Sequence, residues 1–230
     1  MTRSAAMEHS PRIHERRERR RGEILRSALR AFRERGYHAT TLDHIAASLG
    51  VRKTALYHYF RDREAILYAC HRESLAELDR IEKAARRLGS PSERLSHLIV
   101  HHVRVMAETL DGSPLAFEVA ALSAERQHEV IEGRDRYERE LRRIIEQGIR
   151  AGEFREVDAK VAAFAILGAI NWVARWYRPG GTLDPNLLGE QFARHLVGGL
   201  LAVPPPRTLA PRRGARAHRA PAASTRRSLA

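Results

Sequence analysis

Apolar residues recur three and four positions apart along nearly the whole of this 230-residue sequence, and no apolar–polar alternation exceeds four residues. The first spacing is that of one face of an α-helix, whereas a half-buried strand would need a longer alternation. Glycine, proline and capping residues divide the pattern into about nine segments. The sequence therefore predicts an all-α fold of about nine helices.

Three short helices are expected first, followed by a bundle of longer ones. An apolar stripe over 24–32 stops before Gly36, Thr40-Thr41 offers an N-cap for a helix over 42–49, and a third short helix covers about 52–59. The later segments run over about 62–88, 91–106, 114–126, 127–151, 159–177 and 185–202. Residues that can cap a helix precede four of them: Asp62, Ser90, Asp158 and Asp184.

The net charge of +13 indicates a polyanionic partner, either nucleic acid or an anionic membrane surface. Most of this charge lies at the two ends, with a net +4 in residues 1–22 and a net +7 in residues 204–230. The Pro-, Ala- and Arg-rich segment 204–230 is expected to be a disordered basic tail, and residues 1–17 a flexible arm. Arg16–Arg21 has two interpretations, a solvated charge run or an auxiliary contact with DNA.

The sequence argues against several other classes of protein. A single cysteine, Cys70, rules out a disulfide framework, and we expect it to be a small buried residue in a cytoplasmic chain. No run approaches the roughly 18 apolar residues of a membrane-spanning helix. His97, His101 and His102 include one pair at helical spacing, but no cysteine or nearby acid completes a metal site. Because neither a glycine-rich phosphate loop nor an HExxH motif is present, we expect neither an enzyme nor a cofactor.

Residues 41–60 meet the demands of a helix-turn-helix, in which the second of two short helices enters the major groove of DNA. Ala46 is small enough to let the two helices approach, and Gly50 tolerates the positive φ that the turn requires. Three apolar residues are expected to bury the inner face of the second helix: Val51, Leu56 and Phe60. The outer face keeps groups that bond phosphates and base edges: Lys53, Thr54, Tyr57, His58 and Tyr59.

The segment 24–67 resembles the DNA-binding domain of the TetR family of bacterial transcriptional regulators. The matching residues stand at the spacings of the family: Phe32, Gly36-Tyr37, Thr40-Thr41, Ile45-Ala46, Gly50-Val51, Leu56-Tyr57, Phe60 and Arg63-Glu64. The resemblance implies that five residues contact phosphates: Thr41, Lys53, Tyr57, Tyr59 and Arg63. It implies that four others face the bases: Arg52, Thr54, Ala55 and His58. Arg52 stands where the family usually has Ser, so the second helix is expected to lack its N-cap oxygen.

The helices over 159–177 and 185–202 are the most apolar, and a helix that is apolar on nearly all sides must be covered by several neighbours. In the TetR family the last two helices pair with those of a second copy. The resemblance therefore implies a homodimer through these helices, whose two-fold symmetry matches a palindromic operator in double-stranded DNA.

The segment 171–181 has two interpretations. Trp172 and Trp176 are i, i+4 neighbours on one helix face, and three polar residues share another: Asn171, Arg175 and Arg178. They could belong to a bundle interface and helix terminus, or to the mouth of a ligand site where indoles meet an apolar or purine surface and guanidinium groups meet phosphate.

A second resemblance favours the ligand site. Residues 148–181, with Ala151-Gly152-Glu153-Phe154 and Asn171-Trp172, are similar to the C-terminal domain of TetR-type regulators of fatty-acid and steroid catabolism. Those regulators respond to acyl-CoA thioesters, so the resemblance implies an effector of that kind.

These observations divide the chain into an arm (1–17), a helix-turn-helix domain (18–78, motif 41–60), an effector-binding and dimerisation domain (79–203) and a basic tail (204–230). We expect a cytoplasmic, nucleoid-associated repressor that binds a palindromic operator as a homodimer and is released by an acyl-CoA-like effector. No membrane partner is expected. Two alternatives stay open: a TetR-type regulator of another apolar ligand, as in efflux control, and a non-specific architectural DNA-binding protein.

Overall fold

The computed structural model describes residues 4–109 and 118–202, and the side chains of 13–108 and 118–202. These residues form eight α-helices and no strand; one isolated antiparallel bridge joins Phe154 to Leu201. The α-helices are α1 (Ser4–Arg35), α2 (Leu42–Ser48), α3 (Lys53–Tyr57), α4 (Arg63–Ala85), α5 (Pro91–Arg104), α6 (Ala124–Arg150), α7 (Ala159–Trp176) and α8 (Pro185–Gly198). The all-α prediction is confirmed.

Several helix boundaries differ from the prediction, among them the ends of α4 at Ala85 rather than near 88 and of α8 at Gly198 rather than near 202. α5 passes at its C-terminal end into a short π-helical segment, Val105–Thr109, which we call the π turn. α6 begins at Ala124 rather than Gln127, and Glu118, Leu122 and Ser123 are not helical, so the separate α-helix predicted over 114–126 is wrong throughout its described residues. A 3₁₀ turn, Val119–Ala121, precedes α6, and residues 114–117 lie outside the described residues. The sequence has no breaking residue between 124 and 127, which is why the longer helix absorbs these positions.

The DNA-binding unit consists of α1, α2, α3 and the start of α4, packed around one apolar core. Its members are each no more than 5% exposed: Ile24, Ala28, Phe32, Ile45, Leu56, Phe60, Ile66 and Leu67. α1 begins at Ser4, well before this core, so most of the arm expected over residues 1–17 is continuous with a helix. The four region limits given above stay predictions.

The C-terminal bundle is held by two close approaches at glycines. A Cβ atom placed on Gly189 of α8 would lie 2.8 Å from the carbonyl oxygen of Val100 on α5, so only glycine lets these helices come so near. A Cβ atom on Gly148 of α6 would overlap the ring of Phe154, which is buried beneath it. Backbone bonds from Arg155 to Leu200 and from Ala202 to Glu153 then fasten this loop to the end of α8.

The four predicted helix caps are confirmed. Asp62 accepts a bond from the Ala65 amide at 2.6 Å, and Ser90 forms a capping box with Glu93. Asp158 and Asp184 each accept bonds from two amides of the helix that follows. A side-chain acceptor at the N-cap is typically worth about 1 kcal/mol of helix stability.

Cys70 on α4 is fully buried where α4 packs against α1, as expected. Burial raises the pKa of its thiol well above the ordinary value, so the sulfur stays protonated and unreactive. Beside it lies a cavity of about 220 Å³ whose lining includes Leu25, Leu29 and Glu108 of the π turn. None of the described helices is long and apolar enough to cross a membrane.

Candidate DNA interface and effector region

α2 and α3 form the predicted helix-turn-helix. Gly50 adopts a positive φ of 65° in the turn, and the amide of Val51 donates to the carbonyl of Ala46 at 3.0 Å. Ala46 is buried at the helix crossing, where a larger side chain would push the helices apart. The predicted role of Gly50 is confirmed, since an L-residue at this φ would be strained.

The second helix of this motif, α3, buries one face and leaves the other open. Leu56 and Phe60 are buried, and Val51 is half-buried against them. Three residues of the segment point to solvent on the outer side: Thr54, Tyr57, which is 50% exposed, and His58. The N-cap residue, Arg52, is exposed and makes no side-chain cap, as its identity predicted. We call α3 the recognition helix.

Lys53 and Thr41 are each held by a neighbour on α2. The ammonium of Lys53 donates to Asp43 at 2.9 Å, which raises the pKa of Lys53 and keeps it charged. Thr41 caps α2 by accepting from the His44 amide at 3.2 Å, while its own amide donates to the His44 ring. His44 was not predicted from the sequence as a partner of Thr41. Its position as the third residue of α2 is the signal that could have identified it.

Arg63 is engaged with the protein itself. One of its guanidinium nitrogens donates to the carbonyls of Tyr37, His38 and Thr40 at 3.1, 2.9 and 2.6 Å, and the guanidinium lies 4.3 Å from the centre of the Tyr37 ring. Arg63 thereby fixes the turn that leads into Thr41. Ala55 and Tyr59 are half-buried beside the recognition helix.

The five residues named for the effector lie at and beyond the end of α7. Trp172 and Trp176 face outward on one side, with Trp172 58% exposed, and Asn171 is half-buried. Arg175 is exposed on the last turn of α7. Arg178 follows the helix end and donates to the carbonyl of Tyr177, so the prediction that it shares a helix face with Asn171 and Arg175 is wrong. The helix stops there because Pro179 cannot continue it.

The tryptophans continue an exposed apolar stripe along α7. Its other large members are Val161 and Phe164, which are 63% and 54% exposed. On α8 the side chain of Leu187 is likewise exposed, and a surface cleft of about 310 Å³ lies between the two helices, lined in part by Ala169, Leu188 and Phe192. These two helices therefore present apolar surface that nothing in the described chain covers.

The interior of the bundle contains a polar cluster that sequence reasoning missed. It is formed by His71 of α4, His102 of α5, and Arg134 and Tyr137 of α6. Arg134 lies 3.4 Å from Nδ1 of His71, and the rings of His102 and Tyr137 meet edge to face with centroids 5.2 Å apart. The two histidines and the tyrosine are buried, and each has one polar atom without a hydrogen-bond partner: His71 Nε2, His102 Nδ1 and Tyr137 Oη.

Burial determines the protonation of this cluster. It lowers the pKa of both His71 and His102 to about 3, with the nearby charge of Arg134 acting in the same direction. Both rings are therefore neutral at physiological pH. An unpaired buried polar atom costs about 1–3 kcal/mol, so this cluster is suited to a polar ligand group or ordered water.

The three histidines considered for a metal do not converge. His97 and His101 stack with ring centroids 4.1 Å apart, whereas His102 points into the bundle toward Tyr137. No group of three potential metal ligands occurs among the described residues.

Comparisons with known proteins place these features in a family. Residues 24–70 match the family described as "Bacterial regulatory proteins, tetR family", and residues 88–200 match "Tetracyclin repressor-like, C-terminal domain". The chain is 31% identical over 193 residues to the HTH-type transcriptional repressor KstR2 of Mycobacterium tuberculosis, covering 79% of this chain and 92% of that protein. It is 26% identical over 182 residues to the fatty acid metabolism regulator protein of Bacillus subtilis, covering 77% of this chain and 94% of that protein.

The chain is also similar to a protein whose structure was solved together with a ligand and DNA. AibR in complex with isovaleryl coenzyme A and operator DNA superposes with a TM-score of 0.67 at 28% identity, covering 77% of this chain and 96% of AibR. The helix-turn-helix, the helical C-terminal bundle and these matches lead to the same assignment. The chain belongs to the TetR family of bacterial transcriptional regulators.

Proposed function

We propose that this protein is a repressor that binds a palindromic operator as a homodimer and leaves it when an acyl-CoA-like effector binds. The observation that carries the proposal is the recognition helix, which keeps its apolar face in the core and its polar face in solvent. A helix presented in this way can enter a major groove without rearrangement of the fold.

The recognition helix and its flanks divide into two sets of contacts. Four residues face the bases: Arg52, Thr54, Ala55 and His58. Five hold the phosphate backbone: Thr41, Lys53, Tyr57, Tyr59 and Arg63. Phosphate contacts fix position, whereas base contacts supply sequence preference. Thr41 accepts from the His44 amide, which leaves its hydroxyl hydrogen for a phosphate oxygen. The carbonyl bonds of Arg63 use one guanidinium nitrogen and fix the turn before Thr41, so its proposed phosphate contact uses the other nitrogens.

A homodimer follows from the outward faces of α7 and α8. Contiguous apolar surface of this kind marks a protein interface in a soluble chain. Two copies joined about a two-fold axis would cover the part of the α7 stripe around Val161 and Phe164 and leave Trp172 and Trp176, at its far end, for the effector. They would present two recognition helices to the two halves of a palindrome. The small residue Gly168, which has open space beside it, allows close approach in the middle of that stripe.

The effector proposal has two supports. One is similarity: the family members named above include a fatty acid metabolism regulator and a protein solved with isovaleryl coenzyme A. The other is chemistry at the end of α7, where two exposed indoles, Trp172 and Trp176, and two exposed arginines, Arg175 and Arg178, occur close together in the sequence. Indoles provide apolar faces, and guanidinium groups bind the phosphates of a coenzyme A bidentately. Asn171 would supply an amide at the same mouth.

A path from α7 to the DNA-binding unit is also part of the proposal. α7 packs against the π turn, and Tyr177, which follows α7, is buried. Glu108 of the π turn lines the cavity between α1 and α4. An effector that moves the end of α7 would thus act on the π turn, change the spacing of the two recognition helices and lower operator affinity. By linkage, operator DNA weakens effector binding by the same factor.

The test begins with operator selection from random duplexes, followed by footprinting. A symmetric footprint and a dimeric complex are expected. Acyl-CoAs of increasing chain length are then titrated against the complex, with free coenzyme A and the free acids as controls. Release by no acyl-CoA, but by an unrelated apolar compound, would favour the efflux-type alternative. Binding without any sequence preference would favour the architectural alternative.

A further inference from the structure

The N-terminal part of α1 borders a cleft at the end of the recognition helix. This arginine cleft has a volume of about 450 Å³ and is lined by Ile13, Arg16 and Arg17 on one wall and by His58 and Tyr59 on the other. The guanidinium of Arg21 lies 5.5 Å from the centre of the Phe60 ring and so links α1 to the residue that follows Tyr59. The cleft is therefore continuous with the proposed DNA-binding face.

We propose that the arginine cleft binds the sugar-phosphate backbone of DNA beyond the bases read by the recognition helix. The inference rests on the proposed operator binding and extends it to a second contact region. It assigns Arg16 and Arg17 as phosphate contacts, with Tyr59, already proposed to contact phosphate, as a further hydrogen-bond donor from the opposite wall. His58 borders the cleft on the side of the bases that it is proposed to face.

The arrangement of charge on α1 supports this assignment. At 100° per residue, Ile13, Arg16, Arg17 and Arg20 share one face, while the acidic residues of the segment, Glu15 and Glu18, lie on the opposite side. Farther along the helix, the same face buries the core residues, among them Ile24 and Ala28. The face that packs on protein in the second half of α1 is thus basic and exposed in the first half.

The chemistry of the cleft is that of a phosphate site. Guanidinium groups form paired bonds with phosphate oxygens, and the described residues that line the cleft include no carboxylate to oppose an anion. The N-terminal helix adjoins the recognition helix on the side where DNA would lie, so the backbone of the same duplex can reach both. Because the contact is to phosphate, it should strengthen binding without changing sequence preference.

The experiment compares two full-length double variants that remove the same charge. In Arg16→Gln/Arg17→Gln the changed residues line the cleft. In the control, Arg19→Gln/Arg30→Gln, both changed residues are exposed and neither lines the cleft. The affinity for a selected operator is measured at several salt concentrations between about 50 and 200 mM, together with the affinity for a scrambled duplex.

Each lost phosphate contact lowers the magnitude of the slope of log affinity against log salt by about 0.9. The slope of the cleft variant should therefore be smaller than that of the wild type by about 2 per half-site. The ratio of wild-type affinity to cleft-variant affinity should then fall about tenfold per half-site as the salt concentration rises over that range. The control should keep the wild-type slope, and both variants should keep the wild-type ratio of operator to scrambled affinity. On an operator shortened by its outermost base pairs, the cleft variant and the wild type should bind equally.

Three results would overturn the inference. Equal slopes for the cleft variant and the wild type, with operator binding intact, would refute the cleft contact alone. If the salt slope falls equally in both double variants, the effect is due to net charge rather than to the cleft. If the wild type itself selects no operator, the proposed function fails, and this inference fails with it.

Discussion

The carboxylate of Glu64, at the start of α4, accepts a hydrogen bond from the backbone amide of Ser123 at the start of α6, at 2.9 Å. Arg126 lies 3.1 Å from the same oxygen. Ser123 occupies the N-cap of α6 but makes no side-chain cap of its own. A residue of the DNA-binding unit therefore caps a helix of the C-terminal bundle, and the bond to Ser123 lowers the pKa of Glu64.

Glu64→Gln should weaken this link. The amide side chain keeps an acceptor but loses the charge that pairs with Arg126 and favours a helix N-terminus, so we expect a loss of about 1–2 kcal/mol in the free energy of unfolding. Thermal denaturation measures this directly. Glu125→Gln is the matched control, because Glu125 is exposed in the first turn of α6. Equal melting temperatures for the two variants would refute the capping role.

His71 and His102 should make stability depend on pH. Their pKa of about 3 in the folded protein lies below the ordinary value of 6.5, so between these values the unfolded chain binds protons that the folded chain does not. Stability must therefore fall as the pH decreases through this window, by about 2 kcal/mol for each histidine between neutral pH and pH 5. In His102→Phe about half of this dependence should disappear in urea titrations at several pH values. An unchanged dependence would show that His102 is protonated in the folded state.

Tyr137→Phe removes a buried hydroxyl that has no hydrogen-bond partner. The ring still packs edge to face on His102, so we expect the free energy of unfolding to rise, by about 1 kcal/mol. Urea denaturation measures the change. A loss of stability instead would mean that the hydroxyl is bonded in solution, for instance to an ordered water.

Gly189→Ala should separate α8 from α5. The added methyl would meet the Val100 carbonyl at 2.8 Å, and backbone cannot move aside as a flexible side chain can. We expect a loss of about 1–3 kcal/mol despite the higher helix propensity of alanine. Gly22→Ala is the control, because the nearest atom there is the mobile end of Arg26. That variant should be unchanged or more stable, and destabilisation of both to the same extent would refute the close approach.

Phe164→Glu should disrupt the proposed homodimer. It places a charge in the exposed stripe of α7, and truncation of an aromatic hot-spot residue alone weakens an interface by about 2 kcal/mol or more. Sedimentation analysis should show dissociation at concentrations where the wild type is dimeric. Ile131→Glu changes an exposed apolar residue on α6 and should leave the dimer intact. An intact Phe164→Glu dimer would place the interface elsewhere.

Short-range rules predicted much of the DNA-binding unit. The turn at Gly50, the close packing at Ala46 and the missing cap at Arg52 each depend on one residue and its immediate neighbours. The burial of Leu56 and Phe60 follows from helical periodicity in the same way. Local sequence also fixed the helix starts, because an aspartate or serine at the N-cap bonds only the next two or three amides.

Contacts between distant segments were not predictable by the same means. Arg63 matched the spacing of a phosphate contact, but only the folded chain brings it to the carbonyls of the turn after α1. The cluster of His71, His102 and Tyr137 unites three helices whose sequences give no common signal. The α-helix predicted over 114–126 failed because Val119–Ala121 forms a 3₁₀ turn and because nothing in Glu125–Gln127 separates a helix from α6. Val119 and Leu122 are buried, and local sequence does not show which elements cover them.

Because Cys70 is buried, the reactivity of its thiol can be used to measure local opening of the protein. It is the sole cysteine of the sequence, and its sulfur lies where α1 packs against α4. Because Cys70 is fully buried, a thiol reagent can reach it only in molecules where the packing around it has opened, so the rate of labelling measures such openings. Operator DNA and effector can thus be compared by how strongly each slows or speeds the same single chemical reaction, with no label introduced by mutation.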